Sequence, residues 1–270
     1  MKLAITVVKE ASVHAPLVLR GEYAKAIEQA GRIGYDAVEL HVPDPDELDL
    51  NEIKRACNSA GVTVSSIGTG LAFVRDGLTL TSPDAAVRRT AIDRLKGFVR
   101  IGGELGSVVI IGLMKGHVRD CLDRPEFDRF LTDALDQTIP VAQQSAATLV
   151  LEAVNRYEGD ALNTIAECAE FTGQFDDPDC LKVHIDTFHM NIEEDHIGAN
   201  IRAIGRSIGH VHVADSQRGY PGSGHYDFAE TIAALKAINY RGAISVECLG
   251  LPTPEEAARR GCEFLRRALA

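Results

Sequence analysis

Residues 181–194 read LKVHIDTFHMNIEE, and the change of character halfway along this stretch decides how the chain folds. Leu181 to Asp186 is a short run rich in branched apolar side chains, the pattern of a strand buried in a parallel sheet. From Asp186 onward the stretch supplies Asp186, His189, Glu193 and Glu194, more polarity than a core accepts. A strand that ends in clustered carboxylates and an imidazole, then passes into a helix, is how a parallel α/β barrel presents its functional edge.

Working outward, comparable β-like runs occur at Leu3–Val8, Ala37–His41, Val62–Ile67, Val108–Ile111, Leu149–Val154, Val211–Ala214 and Ala243–Cys248. Between them lie segments with apolar residues at helical spacing: Glu22–Ile33, Glu47–Ala60, Ala85–Gly102, Phe127–Ser145, Leu162–Thr172, Ile197–Ile204, Phe228–Ile238 and Pro254–Leu269. Eight units of each kind alternate with no glycine-serine linker and no shift in composition. This predicts an α/β fold, a single (β/α)8 TIM barrel in which residues 1–270 form one domain. The competing architecture, a doubly wound sheet, would bring a dinucleotide or phosphate loop, and none is present. Gly34, Gly61, Gly106 and Gly209 each stand just ahead of a strand and are expected as left-handed helix C-caps. Two strand-to-helix connections read as long loops, IGTGLAFVRDGLTLTSPD after the third strand and ADSQRGYPGSGHYDF after the seventh, which places function on that rim. Gly68 and Gly70 lack the rest of a phosphate-binding pattern and indicate a tight turn or a close approach.

Composition narrows the partners. The formal charge of −11 disfavours nucleic acid, whose binding needs an excess of Lys and Arg. No apolar run is long enough to span a bilayer, and Met1–Val8 enters a strand without a basic leader, so the expected setting is the cytoplasm with no membrane partner. The six cysteines are dispersed without a CxxC pair and are expected as buried thiols.

Four side chains stand within about two residues of the C-terminal ends of consecutive strands: Glu152, Asp186, His212 and Glu247. Singly each has an ordinary explanation, as a solvated carboxylate or a hydrogen-bonded core imidazole. Together they bring three carboxylates around one imidazole in an apolar barrel mouth, which is costly without a cation. Three oxygens and one nitrogen with open positions suit a hard to borderline divalent ion: Mn²⁺ first, with Mg²⁺, Co²⁺ or Zn²⁺ as alternatives. Beside them, Glu158 lies in the loop after the fifth strand, and His189 and Arg218 lie just past the sixth and seventh, placed to bind the oxygens of a polyol substrate. Arg156 could instead neutralise a carboxylate, His225 is expected to order the seventh loop or cap the next helix, and His41 is a minor candidate at the end of the second strand.

These residues resemble the xylose isomerase-like barrel family, and within it the ketose 3-epimerases acting on D-tagatose or D-psicose and related keto-sugar-acid epimerases. The resemblance spans nearly the whole chain and is strongest in NRYE (155–158), DTFHMNIEE (186–194), HVHVADS (210–216), PGSGH (221–225) and SVEC (245–248). It implies that Glu152, Asp186, His212 and Glu247 hold the metal, commonly Mn²⁺. It further implies that Glu152 and Glu247 double as the acid/base pair and that Glu158, His189 and Arg218 contact the sugar. A small keto-sugar substrate, no organic cofactor and a homo-oligomer, dimer or tetramer, are implied with them. The chain departs from the family at Ala153, often Pro in relatives, at Gln217, often Asn, and in LMKGHVRDCLDRPEF after Gly112, which lacks an Arg- and Gly-rich form. Those departures leave the metal ligands intact and bear on the substrate.

The chemistry expected is epimerisation through an enediolate, with a proton removed by one Glu and returned to the other face by the second. Two rivals use the same residues: an aldose–ketose isomerase, and a lyase on 3-keto-glycosides resembling the catalytic subunit of C-glycoside deglycosidases, which would bring a small partner subunit.

Overall fold

All eight apolar runs are strands, and each pairs in parallel with its successor: β1 (Lys2–Val8), β2 (Ala37–His41), β3 (Thr63–Gly68), β4 (Val108–Ile111), β5 (Thr148–Glu152), β6 (Leu181–Asp186), β7 (Ile208–Val213) and β8 (Ala243–Val246). The last strand returns to β1, so the computed structural model, which describes residues 1–270, is a closed (β/α)8 TIM barrel. A two-residue strand, Leu19–Arg20, lies along the end of β1. No helix is long and apolar enough to cross a membrane.

Alternation along the strands divides the side chains between two destinations. Val38, Leu40, Val109, Leu149, Leu151, Val183, Ile185 and Val211 join one buried apolar cluster with the helices. Ten helices surround the barrel: α1 (Tyr23–Ile33), α2 (Leu50–Ala60), α3 (Gly70–Asp76), α4 (Ala85–Leu105), α5 (Arg124–Ser145), α6 (Ile165–Thr172), α7 (Thr187–Glu193), α8 (Ile197–Ile204), α9 (Phe228–Ala237) and α10 (Pro254–Leu269). Side chains of Asp49, Asp84, Asp123, Thr164, Asp227 and Thr253 accept the free backbone N–H groups at the starts of α2, α4, α5, α6, α9 and α10. Two helices lie beyond the eight expected. α3 occupies the stretch after β3 that reads as an open loop, and α7 starts at the residue after β6.

Gly34, Gly61 and Gly106 are left-handed caps, with φ of 107°, 68° and 65°. Gly209 is not; it lies inside β7. The β6–β7 register puts Val183 opposite Ile208 but His184 opposite His210, so Gly209 is the extra residue of a bulge. A Cβ there would meet Val150 Cγ1 at 2.7 Å and Lys182 Cβ at 2.8 Å, which is why the position is glycine. A second bulge at Ser65 shifts β3, so that Val38 faces Val64 while Glu39 faces Ser66. Each bulge flips the alternation once, turning Ser66 in β3 and His210 and His212 in β7 into the barrel.

The interior is consequently unlike the branched apolar filling usual for this architecture. Glu39, Ser66, His184, His210 and Ser245 are all buried within it, just beneath the C-terminal mouth.

Candidate active site

Glu152 ends β5, Asp186 ends β6, His212 lies one residue from the end of β7, and Glu247 follows β8 directly. Parallel strands in one register lift these four to one rim, and all four are nine-tenths buried or more. Ligand atoms of Glu152, Asp186 and His212 lie within 4.8 Å of one another, and those of Glu39, His212 and Glu247 do so as well, with His212 common to both groups.

Local contacts fix each side chain. Asp186 is the N-cap of α7: one carboxylate oxygen accepts the Phe188 N–H at 2.8 Å, which leaves Oδ2 facing the mouth. Glu152 occupies the space that a side chain at Gly112 would need, and its backbone carbonyl accepts a hydrogen bond from the buried Lys115 Nζ at 3.2 Å. The His212 Nε2–H donates to Glu39 Oε1 at 2.7 Å. Its Nδ1 is buried without a hydrogen-bond partner, 3.4 Å from Glu247 Oε2 and 4.0 Å from Asp186 Oδ2. A buried nitrogen left unpaired between carboxylates is a vacancy in bonding capacity that a cation would fill. The oxygen-rich donor set with one imidazole fits a hard to borderline divalent ion.

Arg218 reaches the same group from the loop after β7. Its guanidinium donates to Asp186 Oδ2 at 2.8 Å, forms an ion pair with Glu247, and lies 4.7 Å from the Phe188 ring. The residue holds a left-handed φ of 63°, unusual for arginine, and Asp215 secures the loop by accepting from Ser216, Gly222 and Tyr226 N–H groups.

His189, on α7, has its tautomer set by Asn155, whose amide donates to Nδ1 at 2.7 Å. The Nε2–H then points at Glu152 Oε1, 3.7 Å away, and at Asp186 Oδ2, 3.8 Å away. The same Asn155 amide donates to Glu158 Oε1 at 2.9 Å, so one side chain ties Glu158 and His189 together.

Protonation follows from burial and neighbours. Burial, then the charge of Glu247, pushes the Glu152 carboxyl up to about 8. For Glu247 burial acts in the same direction but is outweighed by His212 and Arg218, which hold it down at about 2. Burial raises Asp186 against the pull of Arg218. It also keeps His189 neutral, well below the imidazole range, with Arg218 adding to the effect. His212 goes the other way: burial is overcome by Glu39 and Glu247 on either side of the ring.

A cavity of about 140 Å³ opens onto these groups. Its lining includes Glu152, Glu158, His189, His212, Arg218 and Glu247 together with Leu17, Leu71, Val74 and Leu113. His41 also lines it, held against Gly68, where any side chain would strike the imidazole ring.

The structure thus brings together all seven residues singled out from the sequence, Glu152, Glu158, Asp186, His189, His212, Arg218 and Glu247. Others turn away. Arg156 forks onto Glu193 with contacts of 2.6–3.1 Å, and Glu194 accepts from Ile165 N–H and Asn200, so these residues brace the loop and the α6 start. His225 orders the seventh loop through Ser216, while Asp227 caps α9. Glu39, Lys115, Asn155 as a clamp, His184 and His210 are the members that reading the sequence did not assign.

The profile of the Xylose isomerase-like TIM barrel family matches residues 27–268. An L-ribulose 3-epimerase of Mesorhizobium japonicum is 33% identical over 233 residues, covering 84% of this chain and 76% of that protein. A D-psicose 3-epimerase of Ruminiclostridium cellulolyticum is 32% identical over 238 residues, 84% and 78% of the two chains. Among solved structures, a D-allulose 3-epimerase from Methylomonas sp. superposes with a TM-score of 0.82 at 27% identity, covering 100% of this chain and 99% of that one.

Proposed function

The chain belongs to the xylose isomerase-like TIM barrel family, and on that premise we propose that it is a divalent-metal-dependent epimerase of a keto-sugar or keto-sugar acid. The observation that carries the reading is the buried, unpartnered His212 Nδ1 set among Glu152, Asp186 and Glu247 at the end of a cavity. These four residues would hold the ion, with Mn²⁺ proposed and Mg²⁺, Co²⁺ or Zn²⁺ as substitutes. Bound there, it would supply positive charge against the oxygens of the ionised carbon acid. To hold an ion, His212 Nδ1 would have to give up the proton that Glu39 and Glu247 otherwise favour on the ring.

The protein's own groups then move protons. Inverting a carbon next to a carbonyl requires removal from one face and return to the other, and Glu152 and Glu247 come from strands that flank β6 and β7. Because an epimerase runs in both directions, each Glu is the base for one epimer and the acid for the other. Without the ion, burial and the charge of Glu247 favour the proton on Glu152 while His212 and Arg218 keep Glu247 ionised; as ligands of a cation both would be ionised, and the one acting as base takes up the substrate proton. His189, neutral and donating from Nε2, Arg218 and Glu158 are proposed to bind the substrate oxygens, held by Asn155 and by the Asp215 loop. The apolar residues of the lining, Leu17, Leu71 and Leu113, would limit water at the reacting carbon.

The same reading takes residues 1–270 as one functional unit that assembles as a homo-oligomer in the cytoplasm, where six unpaired cysteines suit a reducing compartment. The test is to incubate metal-loaded protein in D₂O with ketoses, keto-acids and 3-keto-glycosides. Deuterium at the carbon beside the carbonyl with inversion there supports epimerisation. Transfer between adjacent carbons would indicate an isomerase, aglycone release a lyase, and full activity after exhaustive chelation would remove the metal from the mechanism.

A further inference from the structure

We propose that Glu39 is a positioning residue of the metal centre: it fixes His212 as an Nδ1 donor and anchors the imidazoles beneath the site. The proposal rests on His212 being a ligand, as argued above. Glu39 lies in the middle of β2 and is 0% exposed; its ligand atoms stand close to those of His212 and Glu247, so the groups it already binds decide its part. Its carboxylate accepts four hydrogen bonds, from His41 Nε2 at 2.7 Å and His212 Nε2 at 2.7 Å on Oε1, and from Ser66 Oγ at 2.6 Å and His210 Nε2 at 2.8 Å on Oε2. Four donors fill the acceptor capacity of one carboxylate, so Glu39 is spoken for and is not itself a ligand.

An ionised carboxylate can only accept. Each of the three imidazoles must therefore present an Nε2–H to it, and each is left with Nδ1 free for other use. For His212 that remaining nitrogen is the unpartnered atom aimed between Asp186 and Glu247. A second set of observations leads to the same residue. The sheet carries two bulges, and they are the ones that turn Ser66, His210 and His212 inward toward Glu39. Had β3 and β7 kept a regular alternation through Ser65 and Gly209, those three side chains would face the opposite side of the sheet. Distorting two strands to complete the shell of one buried carboxylate makes sense if its charge and direction matter to what sits above. An outer carboxylate that orients a ligating histidine and adds negative charge behind it strengthens cation binding.

The experiment compares purified full-length wild type with Glu39→Gln by calorimetric titration with Mn²⁺, and with Glu193→Gln as a matched control from a buried carboxylate paired with Arg156. Gln keeps the shape of Glu39 but removes the charge and replaces an acceptor oxygen with a donor. We expect the Mn²⁺ dissociation constant of Glu39→Gln to rise roughly 10- to 100-fold. The control should keep the wild-type constant even if its melting temperature falls. A measurement on the wild type alone covers the case in which Glu39→Gln does not fold. In ¹⁵N-histidine-labelled protein loaded with diamagnetic Zn²⁺, His212 must show a protonated, hydrogen-bonded Nε2 and a metal-shifted Nδ1. Equal Mn²⁺ affinity in Glu39→Gln and wild type, or a His212 whose Nε2 carries no proton in the loaded protein, overturns the role assigned to Glu39. Absence of any divalent-ion binding by the wild type would instead overturn the metal site on which it stands.

Discussion

The two ends of the barrel are both hollowed. At the end where the strands start, a depression of about 810 Å³ is lined by residues such as Thr148, Leu181, Ile208 and Gly242, together with Asp179, Lys182, Arg206 and Arg241. At the end where they finish, the cavity is about 140 Å³, and buried carboxylates and imidazoles converge on it. Charged groups at the wide end are spaced out in solvent, where each can satisfy itself, as Lys182 does with the nearly fully exposed Asp179. Charged groups at the narrow end are packed against one another out of water, so their protonation and pairing are forced, and that compulsion makes a site reactive. Void size tells little; convergence of groups that cannot all be satisfied by solvent tells more.

The strongest way to break that contrast is to remove charge at the narrow end while leaving its shape. Glu152→Gln and Glu247→Gln should each lower the rate of exchange of substrate hydrogen with solvent by on the order of 10³-fold, within the range of a lost acid/base group. Proton NMR in D₂O reads this directly. If the double variant still exchanged substrate hydrogen at a measurable rate, the pair would not be the acid and base.

A smaller loss is expected one step back from the chemistry. Asn155→Leu deletes the amide that donates to both His189 Nδ1 and Glu158 Oε1 without touching any strand-end carboxylate. His189 would then be free to take the other tautomer and present an acceptor to Glu152. The expected cost is up to about 10²-fold in kcat/KM, the scale seen when a positioning contact is lost, with Mn²⁺ affinity unchanged. A kcat/KM equal to wild type would mean that the tautomer of His189 is set by something else.

How much of this was legible in the chain depended on the range of the signal. The strands announced themselves because two-sided burial demands unbroken apolar runs, and Glu152, Asp186, His212 and Glu247 stood out because a carboxylate or imidazole ends each run. Glu39 did not, because within AVELH one charged residue in mid-strand has no visible partner until closure brings β7 across the barrel to it. A hint was available in HVH at 210–212, two imidazoles at strand spacing with too little water near them to stay unpaired. Gly209 looked like a helix cap because bulges leave no mark in periodicity; only the register across β6 and β7 exposes it. The helices α3 and α7, at seven residues each, are too short for a 3.6-residue period to declare itself. Glu193 and Glu194 sat next to real site residues in sequence, yet both turn away from the cavity, Glu193 to Arg156 and Glu194 to the Ile165 N–H and Asn200.

The smallest expected effect comes from the wide end, and its smallness is what gives it value. Arg241 and Asp179 line that depression on the surface, and neither touches a group of the narrow cavity. Arg241→Ala and Asp179→Asn should change folding stability by no more than about 0.5 kcal/mol, as surface substitutions do, and leave kcat/KM within about twofold of wild type. Thermal melting and steady-state rates check the two halves of that statement. Neither side chain hydrogen-bonds or pairs with Glu152 or Glu247, which stand at the other ends of the strands, so loss of either charge leaves their immediate partners in place. A tenfold fall in kcat/KM from either substitution, with melting unchanged, would mean that the larger hollow communicates with the smaller one, and the division of labour between the two rims would have to be redrawn.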